Sequence, residues 1–198
     1  RAFGLRDDGV DGGEVLGAAA AAVQAQRLAA LSVWQPALDQ LWPALAGAAP
    51  PPRLGLRAGW RADEADLADL LLLNRDRDRE LGYTTVGPQR ADLDLGEPCG
   101  VATDQLSRGQ AKLVALALQL SQADALRAWS GARSLLLLDD LQAELDDARQ
   151  QAVLAGVQAR GYQTVVTGTQ VAPERRSLTP GWATFHVEHG QLSPVSGN

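Results

Sequence analysis

Four consecutive leucines, Leu135 to Leu138, run directly into two aspartates, Asp139 and Asp140. An uninterrupted apolar run of this kind predicts a central parallel strand covered on both faces, because a strand with one wet face would alternate apolar and polar residues. The surrounding pattern agrees. Ser107 is a natural N-cap, and Leu113, Val114, Leu116, Ala117, Leu118 and Leu120 make the helix after it apolar nearly all round, hence buried. Downstream, residues 147 to 160 read as a helix stopped by Gly161, and Thr164-Val165-Val166-Thr167 as the next strand. Helix, strand, helix, strand is the order of an α/β fold.

The ends of these elements carry the chemistry. A Ser at a helix start with Gly two residues on, as in Leu106-Ser107-Arg108-Gly109-Gln110, offers free backbone N–H groups to an anion. The hydroxyl and the positive helix end each add on the order of 1 kcal/mol. The same five residues also describe an ordinary capped helix. Of the two strand-end carboxylates, the first can hold Mg2+ through its water shell, and the second can orient or deprotonate an attacking water. Paired carboxylates after a strand also serve as plain helix N-caps.

Composition narrows the classes. At 198 residues and 45% apolar the chain can bury a sizeable core. A net charge of −6 and a pI near 4.9 argue against nucleic-acid binding by bulk electrostatics, although a local basic patch is compatible with them. Cys99 is the single cysteine and no leader segment is recognisable, which predicts a cytoplasmic chain. The longest uncharged stretches, such as Val15 to Gln26, are too short to span a bilayer. There is no Met, even at position 1, so the chain is expected to begin inside a longer protein. Lys112 is the only lysine and follows Gln110-Ala111, which excludes the phosphate-cradling G-x-x-x-x-G-K-[ST] loop, the Walker A motif.

The first part of the chain is helical in character. Residues 14 to 49 are rich in Ala, Leu and Gln, with Pro36 and Pro43 as interruptions, so one long helix and a broken second one are expected. Pro50-Pro51-Pro52 marks a boundary, and Arg53 to Gly59 alternates as a short strand would. Residues between Arg61 and Glu80 predict one amphipathic helix ended at Gly82. Its charged run, Arg75-Asp76-Arg77-Asp78-Arg79-Glu80, is read as a solvated face laced with ion pairs rather than a binding patch. Tyr83 to Val86 and Ala91 to Leu95 flank Gly87-Pro88-Gln89-Arg90 as a hairpin-like pair of strands. Two further short strands, Ala183 to Glu188 and Gln191 to Val195, close the chain around His189-Gly190. His186 and His189 fall on opposite faces and suggest no metal site, Cys99 has no partner that would mark it as a nucleophile, and the five tryptophans read as packing residues.

In order and spacing, the Ser107 loop, its helix, the Asp139-Asp140 strand end and Glu144-Leu145-Asp146-Asp147 resemble the signature loop, Walker B strand and D-loop of ABC-type ATPase heads. Further blocks narrow the resemblance: Gly59-Trp60, Arg75 to Leu81, Tyr83-Thr84, Val86 to Leu93, and Leu106 to Leu113. From about residue 53 to the end, the chain resembles the carboxy-terminal half of the RecF family, recombination mediators related to SMC heads. On that resemblance the fold is α/β, the helix–parallel strand units of the second lobe of an ABC-type ATPase head, preceded by an α-helical arm. Residues 1–52 would be the arm, with 1–13 unplaced, and 53–198 the head.

The resemblance implies an ATP-dependent DNA-binding protein of recombinational gap repair that works with RecR and RecO to load RecA. ATP and Mg2+ would be sandwiched in a homodimer, with the Walker A loop supplied by sequence this chain does not contain. Ser107, Arg108, Gly109 and Gln110 would then act in trans on the γ-phosphate. Asp139 would be the Mg2+-associated carboxylate, Asp140 the residue positioning the hydrolytic water, and Asp146 a D-loop contact across the dimer. Three departures from the wider class stand out: Asp140 in place of the usual Glu suggests slow hydrolysis, Gln89 stands where His is frequent, and Thr167-Gly168-Thr169 replaces a γ-phosphate-sensing His. Either Thr167 or Thr169 would take over that sensing. The whole protein would be a slow ATPase bound to duplex or gapped DNA, and this stretch alone would be inactive. The rival reading is a non-enzymatic protein-interaction module, and a transporter nucleotide-binding domain is disfavoured by the block before the signature.

Overall fold

The structure, a computed structural model, describes residues 12–62, 64–141, 145–169 and 181–195. Residues 1–11 of the unplaced segment and Glu144 of the D-loop block lie outside the described residues.

The first element is a single helix, α1 (Gly12–Ala46), which contains both Pro36 and Pro43. The expected break does not occur. An internal proline forfeits one helical hydrogen bond and costs about 3 kcal/mol. Here Leu38, Leu41, Trp42 and Leu45 are buried on either side of Pro43, and each such side chain contributes about 1.5–3 kcal/mol. Burial therefore outweighs the two defects. Trp34 Nε1 donates to the buried Ser121 Oγ at 2.8 Å, and Trp42 Nε1 to the Ala49 carbonyl at 2.7 Å, so both indoles are fully satisfied in the packing.

Gln35 ties the proline-rich segment back onto α1: its Oε1 accepts from Leu54 N at 2.7 Å and its Nε2 donates to the Pro52 carbonyl at 3.2 Å. Strand β1 (Gly55–Arg57) follows and pairs antiparallel with β2 (Asp92–Asp94), Leu56 opposite Leu93. The strand partner of residues 92–94 is thus β1, not residues 83–86. Those residues form a compact loop, held by the Gln89 amide, which donates to Thr84 Oγ1 at 2.9 Å and to the Val86 carbonyl at 3.0 Å. Gly87 N donates to the Gly59 carbonyl at 3.0 Å. A Cβ at Gly59, where φ is +87°, would sit 2.3 Å from the Gly87 oxygen, so only glycine permits this approach.

The charged segment is two short helices rather than one, α2 (Leu67–Leu73) and α3 (Arg75–Leu81), with Gly82 closing the second in the left-handed region. The break lies at Asn74, whose Nδ2 donates back to the Leu70 carbonyl at 2.7 Å, a local bond that competes with helix continuation.

The long helix α4 (Arg108–Ser130) begins at Ser107 as expected and ends at a left-handed Gly131. It leads to β3 (Leu135–Leu138), then α5 (Asp147–Arg160), then β4 (Gln163–Val166), which pairs parallel with β3, Leu137 opposite Val165. A terminal antiparallel hairpin, β5 (Phe185–Glu188) and β6 (Gln191–Pro194), agrees with the sequence pattern. The core joins Leu38, Leu41 and Trp42 of α1 to Leu113, Ala117 and Leu120 of α4, Leu136 and Leu138 of β3, and Val153 and Val157 of α5.

Among the described residues, β3 is covered on one face only. Leu136 and Leu138 are buried, while Leu135 is 55% and Leu137 70% exposed, and Val165 beside Leu137 is exposed as well. The leucine run fits a doubly covered strand, but only one face is packed among the described residues. Trp129 is a second departure, standing 78% exposed near the end of α4 rather than packed. No helix among the described residues is long and apolar enough to cross a membrane.

Candidate nucleotide-facing site

At the start of α4, Ser107 and Gln110 satisfy one another. Ser107 Oγ accepts from Gln110 N at 3.2 Å, and Gln110 Oε1 accepts from Ser107 N at 2.9 Å, a complete capping box. Gln110 is thereby committed to the cap. The Ser107 hydroxyl proton stays free to donate outward. The backbone N–H groups of Arg108 and Gly109, in the first turn, have no intrahelical acceptor and join that hydroxyl at the positive helix end. Ser107 and Arg108 are exposed and Gly109 and Gln110 half-buried, so the turn is open to an anionic group from outside the chain.

The second half of the site lies where β3 ends. Asp139 follows Leu135 and Leu137 on the open side of the strand and is exposed, whereas Asp140 is half-buried. At Asp140 the backbone turns with φ +44°, a conformation that Asp adopts more readily than most side chains. One residue beyond β4 holds both aspartates. Thr167 N donates to the Leu138 carbonyl at 2.9 Å, extending the parallel ladder past Val166. Its hydroxyl donates to Asp139 Oδ1 and accepts the backbone N–H of Asp140 at 3.2 Å. Thr169 is exposed and makes no such bond. Of the two threonines singled out in the sequence, Thr167 is the one brought to the carboxylates.

A groove of about 220 Å3 runs beside Asp139, between β3 and α4, lined by Lys112, Ala115, Leu116, Gln119, Leu137 and Leu141. Asp139 therefore lies alongside the Lys112 to Leu116 turn. Lys112 is five residues along α4 from Ser107, roughly 7.5 Å of helix axis, so the signature turn projects beyond the strand end instead of closing over it. The structure records no hydrogen bond between Ser107 and either aspartate.

Asp146 is engaged structurally. It is the N-cap of α5, where Oδ1 accepts from Arg149 N at 2.8 Å and Oδ2 pairs with Arg149 Nη1 at 3.2 Å. Behind it, the buried Gln150 donates to the Leu145 carbonyl at 2.5 Å.

A divalent cation suits this donor set only in part. No group of three or more His, Cys, Asp or Glu side chains among the described residues converges on a metal position. One oxygen of Asp139 accepts from Thr167, and the other has no hydrogen-bond partner among the described residues. One free carboxylate oxygen matches the way Mg2+ is held by one or two carboxylates, waters and substrate phosphates, and does not match an all-protein cage. A nucleotide fits the free N–H groups of the α4 turn, but the chain has no lysine-bearing phosphate loop to bind it on its own.

The remaining candidates are plain. Cys99 is half-buried, and burial pushes its thiol up, away from the thiolate form. His186 lies in β5 and His189 in the turn after it, both exposed. The sequence reading missed a cluster at the far end of α4. Asp124 accepts from Tyr162 Oη at 2.7 Å and Arg160 Nε at 2.6 Å, while Arg127 lies over the Tyr162 ring at 4.8 Å. Nothing in the local pattern marks Asp124, since its partners lie 36 and 38 residues away.

No protein-family model matches the chain. The DNA replication and repair protein RecF of Stenotrophomonas maltophilia is 45% identical over 149 residues, covering 73% of this chain and 41% of that protein. RecF of Xanthomonas axonopodis pv. citri is 43% identical over 147 residues, with 72% and 40% covered. That of Chromohalobacter salexigens is 39% identical over 140 residues, with 68% and 37% covered. The chain thus spans about two fifths of the length of the curated relatives it matches. Two solved structures of the recombination mediator protein RecF in the RecFOR pathway share its fold. RecF-ATPrS superposes with a TM-score of 0.65 at 19% identity, and RecF-ATP with 0.69 at 21%, each covering 98% of this chain and 52% of the other. Over the stretch it shares with these proteins, the chain belongs to the RecF family.

Proposed function

We propose that this chain supplies the signature and Walker B half of an ATP-dependent, DNA-binding RecF-type protein of recombinational repair. The observation that carries this reading is the Thr167 clamp on Asp139 and Asp140 at the end of an apolar strand, in a chain with no phosphate loop. The relatives named DNA replication and repair protein RecF, and the RecF-ATP structure, support the assignment of nucleotide and partner class.

In this reading Ser107, Arg108 and Gly109 meet the γ-phosphate of a nucleotide carried by a second subunit, and Gln110 keeps Ser107 in place. The projection of that turn beyond Asp139 favours action in trans. Asp139 holds Mg2+ through its free oxygen and Asp140 orients the hydrolytic water. Asp146 lies at the dimer contact as the cap of α5. Thr169, which has no hydrogen-bond partner among the described residues, is the candidate to sense the γ-phosphate, since the Thr167 hydroxyl is occupied. Residues 1–52 act as the helical arm and 53–198 as the head. The whole protein hydrolyses ATP slowly, dimerises with it, binds duplex or gapped DNA, and works with RecR and RecO to load RecA in the cytoplasm.

The test is reconstitution. The purified chain alone should not bind labelled ATP and Mg2+ at micromolar concentrations. Mixed with the nucleotide-binding half of a RecF relative, it should associate in an ATP-dependent way that Ser107→Ala and Asp140→Asn weaken at least tenfold. Tight ATP binding by the chain alone, or association indifferent to both substitutions, overturns the reading. The second outcome would favour an interaction module, for which the open leucine face of β3 is the supporting observation.

A further inference from the structure

Helix α1 carries almost no charge. From Val15 to Leu38 the only ionised side chain is Arg27, and its Nη1 is directed inward, donating to the Pro88 carbonyl at 2.8 Å. A helix with a solvated side places charged residues there, whereas a helix apolar nearly all round is a buried one. One side of α1 is covered within the chain, where Ala20, Leu38 and Leu41 are buried. The next side round is not: Leu16 is 56%, Val23 38% and Val33 43% exposed.

The open side has the spacing of a helix–helix seam. Leu16, Ala19, Val23, Gln26, Ala30 and Val33 follow one another in alternating steps of three and four, the a and d positions of a heptad, and the same steps reach Ala37 and Gln40. From Leu16 to Gln40 the seam is about 36 Å long.

Its two ends differ in charge. The far end enters a groove of about 490 Å3, where Val33, Ala37 and Gln40 of α1 face the last turns of α4 and α5. Arg127 and Arg160 line that groove and share one carboxylate, Asp124, which lies 2.6 Å from Arg160 Nε and 3.8 Å from Arg127 Nη2. Two guanidinium groups on one carboxylate leave a positive charge over. At the near end, Glu14 stands exposed in the first turn of α1.

We propose that α1 pairs antiparallel with α1 of a second copy of this chain, independent of nucleotide. A two-fold axis across the seam sets the Glu14 end of each copy against the Arg127 end of the other, so the favourable contact forms twice. Parallel pairing would set like charges together. The alanines at 19, 30 and 37 leave room into which the larger side chains of the facing helix pack. Two helices meeting over this length give less than the roughly 800 Å2 a side of a standard interface, which sets the expected affinity in the micromolar range. The groove lies at the opposite end of α4 from Ser107, about 30 Å along the helix axis, so this contact and the nucleotide-facing turn are separate.

The test is sedimentation velocity of the chain without nucleotide, from about 1 to about 100 μM. The sedimenting species should pass from one 20.9 kDa chain to two. Val23→Glu and Ala30→Glu each place an unpaired charge in the seam and should weaken association by about tenfold or more. Ala21→Glu adds the same charge at an exposed position about 160° round the helix from Val23 and should leave association unchanged. Glu14→Arg should weaken it, and by less as salt is raised. Circular dichroism of each variant establishes that it is folded. Orientation is read by cross-linking on a Cys99→Ser background, where Leu16→Cys and Gln40→Cys chains, mixed, should form the mixed disulfide in preference to either symmetric one.

A chain that remains single at the highest concentration overturns the proposal, as does equal loss with Ala21→Glu, association indifferent to both seam glutamates, or preference for a symmetric disulfide. Association that requires ATP would sink this proposal and leave the ATPase-half reading standing. Nucleotide-independent pairing that is lost in Val23→Glu, with no ATP-dependent association with a nucleotide-binding half, would do the reverse.

Discussion

The hydroxyl of Thr167 donates to Oδ1 of Asp139 and at the same time accepts the backbone N–H of Asp140 at 3.2 Å. One side chain at the end of β4 thereby sets the carboxylate at the end of β3 and the left-handed turn that follows it. Thr167→Val keeps the shape and removes both bonds. Because the residue is exposed, the expected loss is about 1 kcal/mol, read as a lower urea midpoint, with Thr167→Ser close to wild type. Equal losses for Val and Ser would mean that the methyl group, not the hydroxyl, matters.

The capping box makes a separate prediction at the other end of the site. Ser107→Ala should lower the stability of the chain by about 1 kcal/mol, and Ser107→Asp, which can still accept from Gln110 N, should retain most of it. Urea denaturation followed by circular dichroism distinguishes the two. A neutral alanine variant would show that the box contributes nothing to α4.

The two faces of β3 differ in tolerance. Leu137→Asp, on the open face, should change stability by less than about 0.5 kcal/mol in the isolated chain, whereas Leu138→Ala should cost about 2–5 kcal/mol through the cavity it leaves. Comparable losses at both positions would indicate that something covers Leu137.

The Tyr162 phenol is pushed up to about 12, first by burial and then by the Asp124 carboxylate that accepts its hydrogen bond. A phenol whose folded value lies above its unfolded value of about 10 stabilises the fold fully below that pH. The contribution is lost as pH climbs from about 10 to about 12. Wild type should lose stability across that window more steeply than Tyr162→Phe. Parallel denaturation curves for the two proteins at successive pH values would refute the shift.

Gly59 tests the loop it faces. Gly59→Ala places a Cβ 2.3 Å from the Gly87 oxygen at a positive φ, which should cost about 1–3 kcal/mol and displace the Arg90 guanidinium, which lies 5.2 Å from the centre of the Tyr83 ring. The change should be visible as altered proteolysis of residues 82–91.

Local signals in the sequence were sufficient wherever neighbours in the chain decide the outcome. Ser107 capped by Gln110, Gly131 and Gly161 ending their helices, and the order α4, β3, α5, β4 all follow from side chains within a few residues of one another. The candidate site was legible to the same extent: the signature turn and the two aspartates lie at element ends because propensity and apolar periodicity put them there. Whether α1 breaks at its prolines was not legible, since burial of Leu41 and Trp42 against distant residues outweighs the lost bonds. The pairing of β2 with β1, and the bond from Thr85 to Asp78 that ties the loop to α3, were equally hidden.

Local side-chain signals fix the elements from α4 to β4 and the residues that stand at their ends. Long-range packing is what brings Thr167 rather than Thr169 to Asp139, across a separation of 28 residues, and leaves one face of the leucine strand open among the described residues. Contacts of that range depend on how whole helices and strands pack, and no local pattern of side chains encodes which of two nearby threonines the packing will bring into reach.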